Sequence, residues 1–350
     1  MDQTYDYDYN ISSSDKSSYY NSTEKTYSKP YTMQQPSVMN IMIIVINSII
    51  FILGVIGNGI VICITGFKMK RTINTTWFLS LAVSDFLFCV FLPFSIVQMA
   101  SDQHWHFGKF MCKFTSFIMF LNMFSSIFLL VIISIDRSVS VFYPVWSQNY
   151  RTTRFATVVV LIAWIISALL STPSLIFRDT AVKSEKTHCF NKYGSGMSKK
   201  NLHRVVALTR FVFGFVIPFI VIAFCYSIII IKLKKNRMAK SLKPFKIMTA
   251  IIVTFFLCWL PYHIFIILEI NHYNYSPDIF LKWMSMAVSL AFANSCLNPI
   301  LYVFMGKDFK EKFKVSFLSK IENALSEDAR TTTRRISRTS SAFEKGSTLV

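Results

Sequence analysis

Apolar residues along this chain come in long blocks rather than at strand or amphipathic-helix spacing. Runs near 39–66, 76–100, 110–135, 155–177, 205–231, 246–270 and 283–305 are almost continuously apolar. The hydrocarbon core of a bilayer takes about 20 such residues per spanning helix. In lipid a backbone must satisfy its own polar groups, which leaves helices and closed barrels. These runs are too long and too evenly apolar for barrel strands. The pattern therefore predicts an all-α fold, a bundle of seven transmembrane helices. The flanks read differently. Residues 1–37 are polar and rich in Tyr, Ser and Asp. After the seventh run, Phe309, Phe313 and Phe317 stand four apart with lysines between them, which predicts a short amphipathic helix lying on the membrane. The expected organisation is a disordered tail over 1–37, a seven-helix domain over 38–306, a surface helix over 307–319 and a disordered tail over 320–350.

Composition removes the soluble alternatives. The chain is 53% hydrophobic with 34 Phe, and 16% of its residues are charged, where a soluble domain has about 25%. The net charge of +19 needs only a negative membrane surface, and no domain is left over for nucleic acid. Basic residues also orient the bundle. Lys68, Lys70 and Arg71, then Arg137, Arg151 and Arg154, then the lysines of 232–246, all fall on the side of the C-terminus. The positive-inside rule makes that side cytoplasmic, in a multi-pass plasma-membrane protein with its N-terminus outside. Residues 178–204 are strongly basic yet fall outside, and are read as an attractant for an anionic ligand. No apolar signal-peptide core precedes the first span, so the N-terminal tail is expected to be retained. Asn10 and Asn21 open glycosylation sequons. Tyr5, Tyr7 and Tyr9 lie among Asp2, Asp6 and Asp8 as sulfation candidates, with a plain solvated tail as the alternative.

Cys63, Cys89, Cys225, Cys258 and Cys296 fall inside spans and read as small buried apolar residues. Cys112 and Cys189 face the oxidising side, where a disulfide is expected, two free thiols being the bland reading.

Polar groups inside spans carry the functional signal, because lipid makes them costly. Asp85 stands in LAVSDFLF. Asn122 and Ser126 on span three, Asn294, Ser295 and Asn298 on span seven and Asn58 on span one fall at overlapping depth. They make either a shared cluster or separate interhelical hydrogen bonds. One carboxylate with several neutral oxygens suits a small hard cation, sodium, or a protonated Asp with water. Asp136 and Arg137 end span three, with Tyr226 and Tyr302 toward the same side. The bland reading is a snorkelling arginine; the functional one is an arginine that trades Asp136 for tyrosines. Pro218, Pro261 and Pro299 mark bends, and Trp259 lies just before Pro261 at the floor of an outer cavity. Near the outer ends stand Arg210, Arg178 and Glu269. Either Arg210 bridges internally to Glu269, or its fork waits for a peptide's carboxyl terminus.

Taken in order, GN in span one, LAVSD, DR, Trp164, Pro218, CWLP and NPILY resemble the rhodopsin-like G-protein-coupled receptors over residues 39 to 318. PVWSQN, TPSLIFRDT, LTRFVFGFVIP, ANSCLNPILYVFMG and NALSED are similar to the chemoattractant peptide receptors, chemerin receptors above all. That resemblance implies an outward agonist pocket and an inward cleft for an inhibitory-type heterotrimeric G protein linked to cell migration. It makes Asp85, Asn122, Ser126, Asn294 and Asn298 a sodium site, Asp136 and Arg137 a switch pair, and Val145 an apolar G-protein contact. No resident cofactor is implied beyond sodium as an allosteric modulator. Two departures stand out: Ser138 replaces the usual Tyr, and no acid faces Arg137 from span six near Ser241. They keep a ligand-scavenging or arrestin-biased receptor as the alternative. In the C-terminal tail Ser337, Thr339, Ser340 and Ser341 are phosphorylation candidates for arrestin binding, and the final Ser-Thr-Leu-Val suits a PDZ-type domain. A transporter would show inverted repeats and broken half-helices. An enzyme would show a nucleophile with its base or a metal-ligand set. The sequence displays neither.

Overall fold

The computed structural model describes residues 38–183, 185–194, 196–235, 243–269 and 277–305. The sequons, the tail tyrosines, the 307–319 helix, Ser241 and the C-terminal phosphorylation and PDZ motifs lie outside these residues. Along the chain run α1 (Val38–Cys63), a π turn (Ile64–Lys68), α2 (Ile73–Ala100), α3 (Gly108–Phe142), a short α4 (Pro144–Tyr150) and α5 (Thr153–Phe177). Then come β1 (Arg178–Lys183), β2 (Lys186–Asn191), α6 (Gly196–Phe211), a second π turn (Val212–Val216), α7 (Ile217–Lys235), α8 (Lys243–Glu269) and α9 (Pro277–Met305). Seven helices among the described residues are long and apolar enough to cross a membrane, the fifth span being α6, the π turn and α7 together.

The apolar blocks become helices because nothing else closes their backbone in lipid, and local chemistry sets the ends. Thr72 and Thr75 form a reciprocal capping box at the start of α2. Thr152 accepts from the Phe155 amide at the start of α5. Span three is the hub: 78% of its most apolar stretch is buried, against 22% for span one. Span one turns Ile41, Val45, Ile49 and Ile56 outward, the side lipid would cover. Its inner stripe needs glycine. A Cβ on Gly54 would overlap Cys89 Sγ, and one on Gly57 would meet Pro299 Cβ at 3.0 Å.

Three features refine the sequence reading. Span three runs on as helix through Asp136 and Arg137 to Phe142, beyond its apolar block. Pro218, midway along the fifth span, is the second residue of α7, just past the π turn: its missing N–H leaves the Gly214 carbonyl without the usual helical bond, and the wider turn absorbs the fault. Among the described residues the helical fold is interrupted by an antiparallel hairpin pairing Arg178–Lys183 with Lys186–Asn191. Cys63 corrects the expectation of five buried cysteines: it is exposed, while Cys89, Cys225, Cys258 and Cys296 are buried.

Candidate ligand and switch sites

Midway through the bundle, Asp85 on α2 is completely buried. Asn122 Nδ2 on α3 donates to its Oδ1 at 2.9 Å and Asn298 Nδ2 on α9 to its Oδ2 at 2.8 Å. The Ser295 hydroxyl donates to Asn122 Oδ1 at 3.2 Å and also reaches Asp85. Asn58 on α1 joins from the side, donating to the carbonyls of Gly54 and Ser295. Three spans thus meet at one carboxylate, a fourth braces the cluster through Asn58, and the carboxylate's direct partners are neutral. Ser126 and Asn294 are buried at the same level without touching it. Ser126 Oγ, both Asn294 side-chain polar atoms and Asn298 Oδ1 have no hydrogen-bond partner. Among the described residues no group of three His, Cys, Asp or Glu side chains suits a metal. A carboxylate with spare neutral oxygens fits a small hard cation instead. Two serines escaped sequence reasoning: Ser84 and Ser125, 2.5 Å apart, brace Asn122 from behind. Nothing in the sequence separates them from other span serines.

At the Arg137 end the chemistry is charged. Arg137 Nη2 donates to Asp136 Oδ2 at 2.8 Å and to Asn74 Oδ1. Arg151, just past α4, takes the same carboxylate as a fork: Nε to Oδ1 at 2.6 Å and Nη2 to Oδ2 at 2.7 Å. Its Nη2 also reaches Asn74 Oδ1 at 3.2 Å. At this end Asn74 and Arg151 are the contacts the sequence did not reveal, since a loop arginine and a helix-start asparagine look ordinary. Tyr226 lies within the electrostatic reach of Arg137. Tyr302 packs its ring edge-on to Phe78 at 4.9 Å. Ser138 points inward, donating to the carbonyls of Ser134 and Cys225. Val145 is exposed beside a shallow groove lined by Phe142, Tyr143, Pro144, Trp146 and Tyr150.

At the hairpin end a Cys112–Cys189 disulfide ties β2 to the start of α3. Lys109 at 2.8 Å and Lys192 at 3.6 Å flank the Asp179 carboxylate, and the hydrogen bond from Lys109 holds its pKa below the ordinary value. Beneath the hairpin, Arg178 donates Nε to Ser116 Oγ at 2.8 Å. Arg210 is buried, lies 3.5 Å above the Phe120 ring and donates Nη2 to Ser174 Oγ at 3.2 Å. Glu269 is buried with His203 at 3.6 Å, and the charges of Arg178 and Arg210 reach it. The three residues singled out at the outer ends are therefore neighbours. Ser116, Phe120, Ser174 and His203 were missed. So was His263, buried beside Phe211, Phe215 and Trp259 with neither ring nitrogen hydrogen-bonded; an ionisable residue inside a span was the available signal. Trp259 itself is buried, its ring edge-on to Tyr262 at 5.6 Å.

Residues 57–302 match the family model described as 7 transmembrane receptor (rhodopsin family). The chain is 50% identical over 305 residues to chemerin-like receptor 1 of Homo sapiens, covering 83% of this chain and 82% of that one. It is 42% identical over 311 residues to the C3a anaphylatoxin chemotactic receptor of Oncorhynchus mykiss, 87% and 83% covered. Against formyl peptide receptor 2 of Mus musculus it is 38% identical over 306 residues, 83% and 87% covered. With seven spans, a polar mid-bundle cluster and an Asp136–Arg137 pair already in place, this chain belongs to the rhodopsin family of seven-transmembrane receptors and to its chemoattractant group: a multi-pass plasma-membrane receptor rather than an enzyme.

Proposed function

We propose that the hairpin end faces outward and takes a peptide or protein chemoattractant, chemerin-like in kind. The Arg137 end then faces the cytoplasm and engages an inhibitory-type heterotrimeric G protein, promoting migration of leukocyte-type cells. The similarity to receptors named for chemerin and C3a supports the ligand class. The observation that carries the reading is Arg210. A guanidinium held over a ring face and one serine hydroxyl, inside a span, has no carboxylate at ion-pair distance among the described residues, Glu269 reaching it only through its field, and a peptide's terminal carboxylate would supply one bidentately. Arg178 and the basic hairpin region draw such a ligand in, and the disulfide fixes the hairpin over α3.

In this account the ligand's end reaches Arg210, and the aromatic floor of Phe120, Tyr262 and Trp259 shifts. Spans six and seven swing about Pro261 and Pro299. At the mid-bundle, Asp85, Asn122, Asn298, Ser126 and Asn294 would hold sodium, which supplies a positive charge that favours the packed arrangement. Agonist and ion then oppose one another reciprocally. At the far end Arg137 leaves Asp136 for Tyr226 and Tyr302, opening a cleft in which Val145 meets the G protein. The tail sites recruit arrestin and a PDZ-type protein, and residues 307–319 rest on membrane lipid. Ser138 favours a second reading: turned onto the Cys225 carbonyl, it presents no aromatic group toward the G-protein cleft, as a scavenging or arrestin-biased receptor would. The test is nucleotide exchange on purified inhibitory-type G protein against arrestin recruitment, with the C-terminal peptide of chemerin as probe. Peptide-stimulated exchange is the expected result. Arrestin recruitment without exchange transfers the assignment to the second reading, and no response in either overturns the ligand class.

A further inference from the structure

Asp136 is held by two arginines that belong to different parts of the chain. Arg137 gives it one hydrogen bond, at 2.8 Å. Arg151 gives it two, at 2.6 and 2.7 Å, in the fork geometry that suits a carboxylate best. Both arginines also converge on the same oxygen of Asn74. They compete for two acceptors, and their like charges repel. Removing one partner from a buried ion pair is costly because it strands the other charge. Here Asp136 is not stranded when Arg137 departs, since the fork of Arg151 stays.

We propose that Arg151 is a positioning residue of the switch: by holding Asp136 and repelling Arg137, it lowers the cost of releasing Arg137. This differs from a lock. A lock residue would raise activity when deleted, whereas loss of Arg151 leaves Arg137 as the guanidinium on Asp136 and strengthens its hold. The inference rests on the G-protein-coupling reading for its first readout alone.

The experiment uses the full-length receptor in lipid nanodiscs, with no ligand, and measures basal nucleotide exchange on purified G protein for wild type, Arg151→Gln and Arg151→Lys. Partly exposed pairs of this kind shift equilibria by up to about fivefold. Basal exchange is expected to fall by about threefold in Arg151→Gln and to recover in part in Arg151→Lys. In an Asp136→Asn background Arg151→Gln is expected to have a much smaller effect, because there is no carboxylate to hold and only the repulsion of Arg137 is lost. An unchanged or raised basal rate in Arg151→Gln overturns the proposal. So does an equal fall in the Asp136→Asn background, which would make Arg151 a structural or G-protein contact. A second readout does not need coupling: a fluorine label on Ala250→Cys in span six reports packed and open populations by NMR. If wild type shows no exchange, the coupling reading fails, and Arg151→Gln must still deplete the open population for this inference to stand.

Discussion

Asp85 and Asp136 are both carboxylates within the helices of one bundle, yet their surroundings are opposite. Asp85 is completely buried and its direct partners are amides and a hydroxyl. Asp136 stands toward the C-terminal end of α3 and holds two guanidiniums. The first has hydrogen bonds but no counter-charge, so it suits an ion that comes and goes. The second has two counter-charges, so one can leave without stranding it. Arg210 is the cationic mirror of Asp85: buried, contacted by a ring and a serine hydroxyl, and suited to an incoming anion. A buried charge with no charged side chain against it is open to a mobile counter-charge; one with two is open to exchange between them.

On basal exchange the largest effect should come from Asp136→Asn. A fully buried pair has roughly 3–5 kcal/mol at stake when one partner is removed. Partial exposure of both arginines cuts this to about 1–2, so basal exchange should rise about tenfold. A fall would mean that Asp136 serves the active arrangement. On ligand affinity the largest effect, at least as great, should come from Arg210→Ala. Charge-assisted hydrogen bonds contribute about 1.5–3 kcal/mol, so affinity for a free-acid peptide should drop about 10- to 100-fold, and for the amidated peptide far less. Equal losses would break the parallel with Asp85 and make Arg210 an internal packing group.

A smaller effect belongs to a third carboxylate, Asp179, which is exposed enough to be ordinary but carries Lys109 and Lys192. Its pKa is lowered in the folded state by the Lys109 hydrogen bond. Its contribution is therefore complete above the unfolded carboxylate value and is lost as pH falls through the lowered folded one. Hydrogen exchange of hairpin amides should quicken slightly in that acid window, and Asp179→Asn should remove the pH step. A step that persists in the variant assigns it to another group.

Much of this was legible in the residues themselves. Seven apolar blocks give seven spans because lipid leaves the backbone no alternative. Asp85, Asn122 and Asn298 could be matched by depth because helices rise evenly, and their hydrogen bonds follow from that. Depth does not give rotation about the helix axis, which is why Ser126 and Asn294, chosen by the same reasoning, lie at the level of Asp85 without bonding to it. The second partner of Asp136 was not legible. Arg151 lies outside any periodic element, and its reach back to span three depends on the turn that α4 makes after Pro144. The hairpin was equally hidden, since a polar stretch between spans carries no apolar alternation to announce strands. At Pro218 the sequence shows the missing donor but not the π turn that accompanies it.

The claim that Asp85 awaits a mobile counter-charge while Asp136 keeps its own is tested most directly by a sodium titration of basal nucleotide exchange at constant ionic strength, in wild type and Asp85→Asn. Sodium should suppress exchange in the wild type and leave Asp85→Asn unaffected; a sodium response that survives in Asp85→Asn would contradict the account.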